Sequence, residues 1–162
     1  MIVLGIDQSY NSTGIVVLKN DNIIHSECFK SNKDFDRFGQ AYEIALHIGN
    51  IVDTYKPDIV AIEGLAFGMR GNVTRDLGGL QFVIVAHLQE VKKQQVMIIA
   101  PLTVKKFATG SGKATKSEMI ESLPSYALDI FLKLGVKKTT GLSDLCDAFN
   151  ICKCAEYQNR NN

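Results

Sequence analysis

The hydrophobic patterning of this chain predicts an α/β fold, a mixed five-stranded sheet flanked by helices in the order βββαβαβαα. Three observations lead there. Short β-prone runs open the chain in succession, a long stretch of helical period follows them, and a β-branched run comes directly after that stretch.

The opening runs are Ile2 to Asp7, Thr13 to Lys19 and Ile23 to Lys30. Turn-forming residues separate them, Gln8 to Ser12 and then Asn20-Asp21-Asn22, so they form an antiparallel meander. From Phe35 to Tyr55, Phe38, Tyr42, Ala45, Ile48, Val52 and Tyr55 recur in steps of three and four, which predicts one helical face, ended by Lys56-Pro57. Asp58 to Glu63 then reads as a strand parallel to the first, because a helical crossover returns the chain in the same direction. Gly64 to Asn72, with three glycines, reads as a mobile loop. A second helix carries Val73, Leu77, Leu80, Ile84, His87 and Val91 on one stripe, and Val96 to Ala100 makes the fifth strand. Beyond Pro101 the pattern is less regular: a helical piece spans Val104 to Ala108, Gly110-Ser111-Gly112 breaks it, and another helix begins near Lys116. A terminal helix starts at Ser143 as N-cap, with Leu145, Ala148, Phe149 and Cys152 on its apolar side, and Glu156 to Asn162 reads as a loose polar end.

The 162 residues suffice for one domain, expected over 1–157 with a polar tail at 158–162. Apolar residues at 46% and charged residues at 22% are those of a globular protein. Asp7, Glu63 and Lys92 interrupt the apolar stretches early, so no membrane span is expected, and Met1 leads into Ile2-Val3-Leu4 without the basic segment of a signal peptide. The expected compartment is the cytoplasm. Cys28, Cys146, Cys152 and Cys154 lack zinc-knuckle spacing and read as buried free thiols. A formal net charge of +1 excludes a strongly basic coat, so any contact with DNA must use locally concentrated lysines and arginines.

Four acids stand out. Asp7 closes an apolar strand on the face of Val3 and Gly5, while Ile2, Leu4 and Ile6 face the other helix layer. Glu63 ends the parallel strand, which a sheet of this order can bring beside Asp7. Asp144 and Asp147, three apart on the terminal helix, share one side of it. Three of them have an ordinary structural reading: Asp7 can cap the turn through Ser9, and Asp144 and Asp147 can complement a helix dipole. Gathered together they repel, by about 1 kcal/mol per close pair in water and roughly 4 kcal/mol at an effective dielectric of 20. Divalent cations relieve that repulsion. Oxygen donors without histidine or cysteine suit magnesium, or manganese as its substitute, and two such ions can drive phosphodiester hydrolysis.

The segments Ile2-Val3-Leu4-Gly5-Ile6-Asp7, Ile59-Val60-Ala61-Ile62-Glu63 and Ser143-Asp144-Leu145-Cys146-Asp147-Ala148 resemble, in that order, the three acidic motifs of the RuvC Holliday-junction resolvases. The likeness extends over nearly the whole chain. It implies a ribonuclease-H-like fold, a homodimer, and magnesium-dependent nicking of four-way and related branched DNA, with Asp7, Glu63, Asp144 and Asp147 as metal-site acids. By the same resemblance Lys116 lies near the reacting phosphate and Lys105 matches a second family lysine. Lys106, Lys113, Arg70 and Arg75 could rim the same cleft as phosphate contacts. The family's aromatic wedge usually falls three positions after the motif glutamate; Ala66 holds that place here and Phe67 follows, either as the candidate to stack at a junction or as a core residue. The second helix resembles the family's dimer helix through Leu77-Gly78, with Leu77, Leu80, Ile84 and His87 as the candidate interface beside Gly78 and Gly79, and core packing against the sheet explains the same stripe equally well. The near-neutral charge is unusual for such an enzyme and suggests weaker or less discriminating binding. A phage-encoded member working in a bacterial cytoplasm fits the resemblance, and none of these residues identifies a partner helicase.

Two other functions compete. Gly5 to Ser9 followed by Ser12-Thr13-Gly14 is also similar to the first phosphate-binding hairpin of actin-like ATPases, but those need a second domain for which this chain is too short. Gly110 to Ala114 is not a phosphate loop, because Phe107 stands where the first glycine is required and Ala114 where a Ser or Thr is. The third reading, a silent junction-binding protein, is disfavoured by the presence of all four acids.

Overall fold

The computed structural model describes residues 1–65, 72–136 and 141–161. β1 (Ile2–Asp7), β2 (Thr13–Lys19) and β3 (Asn22–Phe29) form the antiparallel meander, and β4 (Ile59–Glu63) and β5 (Val96–Ile99) extend it in parallel. The sheet order is β3-β2-β1-β4-β5, so β1 lies centrally between an antiparallel and a parallel neighbour. This is the expected mixed five-stranded sheet.

Alternation along the strands sorts side chains into two cores. Leu4, Ile6, Ile15, Val17, Val60 and Ile62 face α1 (Arg37–Tyr55) and α2 (Asn72–Ala86). Val3, Val16, Leu18 and Ala61 face the long terminal helix, α6 (Gly141–Asn161). Between β5 and α6 lie α3 (Pro101–Thr109), α4 (Lys116–Glu121) and α5 (Ser125–Lys133). Among the described residues no helix is long and apolar enough to cross a membrane, and all four cysteines are free thiols, Cys28 partly buried and the rest buried.

Several expectations need correction. On α1 the buried stripe is Ala41, Ile44, Ala45, Ile48, Ile51 and Val52, whereas Phe38 and Tyr42 are 83% and 58% exposed. The helical period fits either stripe, and small alanines let the helix axis come close to the sheet where large rings do not. α2 gives way at His87 to a π-helical turn, His87–Val91, closed by the Lys92 amide on the His87 carbonyl at 3.2 Å. The wider turn buries Leu88 and leaves Val91 outside. Leu80 and Ile84 are fully buried under α2, so they serve the core and not a subunit interface. Ser143 is a buried residue inside the first turn of α6, not its N-cap. The end read as loose is helical through Asn161, and Glu156 is buried in ion pairs with Lys153 and Arg160.

α6 crosses β1 and β2 at two glycines. A side chain at Gly5 would overlap the Ala148 carbonyl oxygen and sit 2.7 Å from Cys152 Sγ; one at Gly14 would overlap the backbone of Asp144. Gly5→Ala is therefore expected to destabilise the fold by about 2–3 kcal/mol or more, as overpacking against rigid backbone does. Gly79→Ala, at an exposed helical position with nothing within 4 Å, should stabilise it by up to about 1 kcal/mol. Urea unfolding checks both; equal effects would show that α6 does not depend on close approach.

Candidate active site

Past Asp7 the chain leaves the sheet through a hairpin that its own side chains organise. Thr13 Oγ1 donates to the Ser9 carbonyl at 2.9 Å, and Ser9 Oγ accepts the Asn11 amide at 3.2 Å. Asp7 is thus not needed to cap this turn. It projects on the α6 face beside Glu63, because the ladder pairs Ile6 with Ile62 and the two strands end together. α6 lies across that end and adds Asp144 from its first turn and Asp147 one turn on.

The four carboxylates line one cleft of about 400 Å³ together with Lys105 of α3 and Lys116 of α4. Thr115 caps α4 through a reciprocal box with Glu118, which fixes the start of the helix that carries Lys116. Asp144 is pinned by Ser12, whose hydroxyl donates to Oδ2 at 2.6 Å. The Glu63 carbonyl accepts two side-chain amides, Gln8 Nε2 at 3.2 Å and Gln81 Nε2 at 2.8 Å. Sequence reading missed Ser12, Gln8 and Gln81 as site residues. In the sequence Ser12 and Gln8 read as turn formers or as parts of a phosphate-binding hairpin, and Gln81 carries no local signal because its role depends on α2 meeting the end of β4.

Electrostatics mark the cleft as short of positive charge. Burial, then the charges of Asp147, Glu63 and Asp144, push the Asp7 carboxyl well above its ordinary range, with Lys116 opposing. Burial, then Asp147, push Glu63 up to about 7, against the pull of Lys105. Asp147 is raised to about 6 by burial, with Lys116 and Lys105 pulling down, Asp144 pushing up and a Ser143 hydrogen bond lowering it. Two lysines do not neutralise four acids. Among the described residues no three histidine, cysteine or acidic side chains yet close around one point, so the carboxylates stand apart around the cleft. Their chemistry still fits a hard divalent cation: the donors are all oxygen and their charge is uncompensated.

Lys106 and Lys113 are exposed and lie outside the cleft lining, and Arg75 is exposed on α2. Phe67 and Arg70 lie outside the described residues.

Against this geometry stand the likenesses to known proteins. A family model described as crossover junction endodeoxyribonuclease RuvC matches residues 3–154. The protein of that description from Prochlorococcus marinus subsp. pastoris is 32% identical over 127 residues, covering 76% of this chain and 80% of the relative. That from Petrotoga mobilis is 28% identical over 160 residues, covering 95% and 92%. Thermus thermophilus RuvC, solved in complex with Holliday junction substrate, superposes with a TM-score of 0.75 at 25% identity, over 99% of this chain and 96% of that one.

The raised acids make the metal-free protein pH-sensitive. Between their ordinary values and their folded values, Glu63 and Asp147 hold protons that the unfolded chain has released, so the stability these two contribute is present at low pH and is lost as pH rises through about 6 to 7. Thermal melting in chelator is expected to show a loss of at most a few kcal/mol from about pH 5 to about pH 8, with a smaller slope in Asp147→Asn. A flat or rising profile would contradict the crowding of these acids.

Proposed function

The chain belongs to the RuvC family of crossover junction endodeoxyribonucleases, and we propose that it cuts Holliday junctions and related branched DNA by metal-assisted phosphodiester hydrolysis in the cleft of Asp7, Glu63, Asp144 and Asp147. The observation that carries this reading is the convergence of four carboxylates, from two strand ends and one helix, on a cleft shared with two lysines.

Asp7, Glu63, Asp144 and Asp147 would hold magnesium, or manganese in its place. When bound, the metal, as a proposed pair of ions, supplies an activated water and charge for the leaving oxygen. The chain's own residues do the rest. Lys116 and Lys105 present ammonium groups where a phosphate must lie to reach the acids, and they stabilise the negative charge that develops on it. Ser12 keeps Asp144 in one rotamer. Lys106, Lys113 and Arg75, set back from the cleft, suit contacts to flanking phosphates that position the DNA without reading its sequence.

A four-way junction has two equivalent strands to cut, and a two-fold dimer with two such clefts matches that symmetry. The buried Leu80 and Ile84 move the candidate interface to the outer faces of α1 and α2, which cover the same side of the sheet. Phe38, Tyr42 and Leu46 lie at four-residue spacing on one helix, and Phe82, 75% exposed, lies beside Gly79 on the other. A face of exposed rings on a globular protein suits a second copy of the same chain.

Replacing Asp7, Glu63, Asp144 or Asp147 by the matching amide is expected to abolish junction cleavage while leaving junction binding within a few-fold of wild type, because the phosphate contacts remain. Full activity in any of them removes that acid from the site. Lys116→Ala should lower the single-turnover rate by about 10²–10³. For the interface, Phe82→Glu should turn a dimer into a folded monomer in sedimentation at micromolar concentration; a dimer that persists places the contact elsewhere.

A further inference from the structure

Glu63 ends β4, and beyond it no backbone ladder joins β4 to β1, whose last pair is Ile6 with Ile62. Two side-chain amides take over. Gln8 Nε2 and Gln81 Nε2 both donate to the Glu63 carbonyl, at 3.2 and 2.8 Å. Gln8 follows Asp7 directly, so its amide ties the end carrying one acid to the backbone of the other. Gln81 belongs to α2 and ties both to that helix.

Gln8 is held there against its own stability. It is only 8% exposed, it borders the acid cleft, and among the described residues its buried Oε1 has no hydrogen-bond partner. An apolar side chain of the same length would avoid that unsatisfied oxygen. A residue whose one satisfied group grips the backbone of a cleft acid, and whose other group is left unpaired, is placed for geometry and not for packing.

Resting on the reading of Glu63 as a metal-holding acid, we infer that Gln8 and Gln81 are positioning residues, which fix the backbone direction of Glu63 and its separation from Asp7 before a cation binds. Fixing a carbonyl fixes the Cα–Cβ direction next to it, and so the arc the carboxylate can reach. Outer groups that orient ligands in this way set metal affinity as well as rate.

The test is a calorimetric titration of the metal-free full-length protein with Mn²⁺ alone, without DNA. Gln8→Met and Gln81→Met are each expected to weaken Mn²⁺ binding about tenfold and the double variant by up to about 100-fold. Gln8→Met should at the same time melt no lower than wild type, since it removes an unpaired oxygen. Gln81→Glu, which keeps the shape but sets an acceptor against an acceptor, should weaken Mn²⁺ binding in the same direction if the double variant does not fold. The inference is overturned if the variants bind Mn²⁺ within about twofold of wild type while Glu63→Gln loses binding. It is overturned too if Gln8→Met lowers the melting temperature and leaves Mn²⁺ affinity unchanged, which marks a packing residue. If Glu63→Gln itself binds Mn²⁺ as wild type does, the reading of Glu63 is wrong and the inference falls with it.

Discussion

The rest of the structure depends on how closely α6 lies on β1 and β2. At Gly5 and Gly14 there is no room for a Cβ between sheet and helix, and the buried Cys152 thiol fills the remaining space, donating to the Val16 carbonyl at 3.2 Å. Contact at that distance fixes the height of α6 over the sheet and its rotation. Rotation decides the chemistry, because Asp144 and Asp147 point at the strand ends only when the stripe Leu145, Ala148, Phe149 and Cys152 is seated below. The second core, under α1 and α2, holds β1 and β4 parallel and so brings Asp7 and Glu63 to the same edge.

Packing of this kind stores electrostatic repulsion where the fold is otherwise rigid. Burial and mutual charge raise Asp7, Glu63 and Asp147 together, and the nearby lysines offset only part of that. A divalent cation would relieve that repulsion, and Lys105 and Lys116 stand in the wall of the same cleft. A net charge of +1 over the whole chain is compatible with this. What matters is the local placement of charge, with acids inside the cleft and lysines along its wall.

Much of this was legible in the sequence because it depends on local pattern. Strand alternation placed Val3, Gly5 and Asp7 on one face, and the i,i+3 spacing of Asp144 and Asp147 placed both on one side of a helix. The order of the strands made Asp7 and Glu63 neighbours. Where two patterns fit equally, the sequence could not choose: Phe38 and Tyr42 obey the helical period as well as Ala41 and Ile44, and only the distance to the sheet decides between them. The π-turn at His87 rotated the end of the α2 stripe, which no regular period anticipates. α5 leaves little trace in the sequence because its nine residues are short and follow Pro124 without a side-chain cap. Ser12, Gln8 and Gln81 act through partners far along the chain, and their types in isolation say only turn or surface.

The most direct test of the central claim compares a labelled four-way junction with a linear duplex of the same sequence, each incubated with the purified protein with and without magnesium. The account predicts magnesium-dependent nicks paired symmetrically across the junction, with the duplex left intact. Equal cutting of the linear duplex, or a junction that is bound in magnesium and never cut, would contradict it.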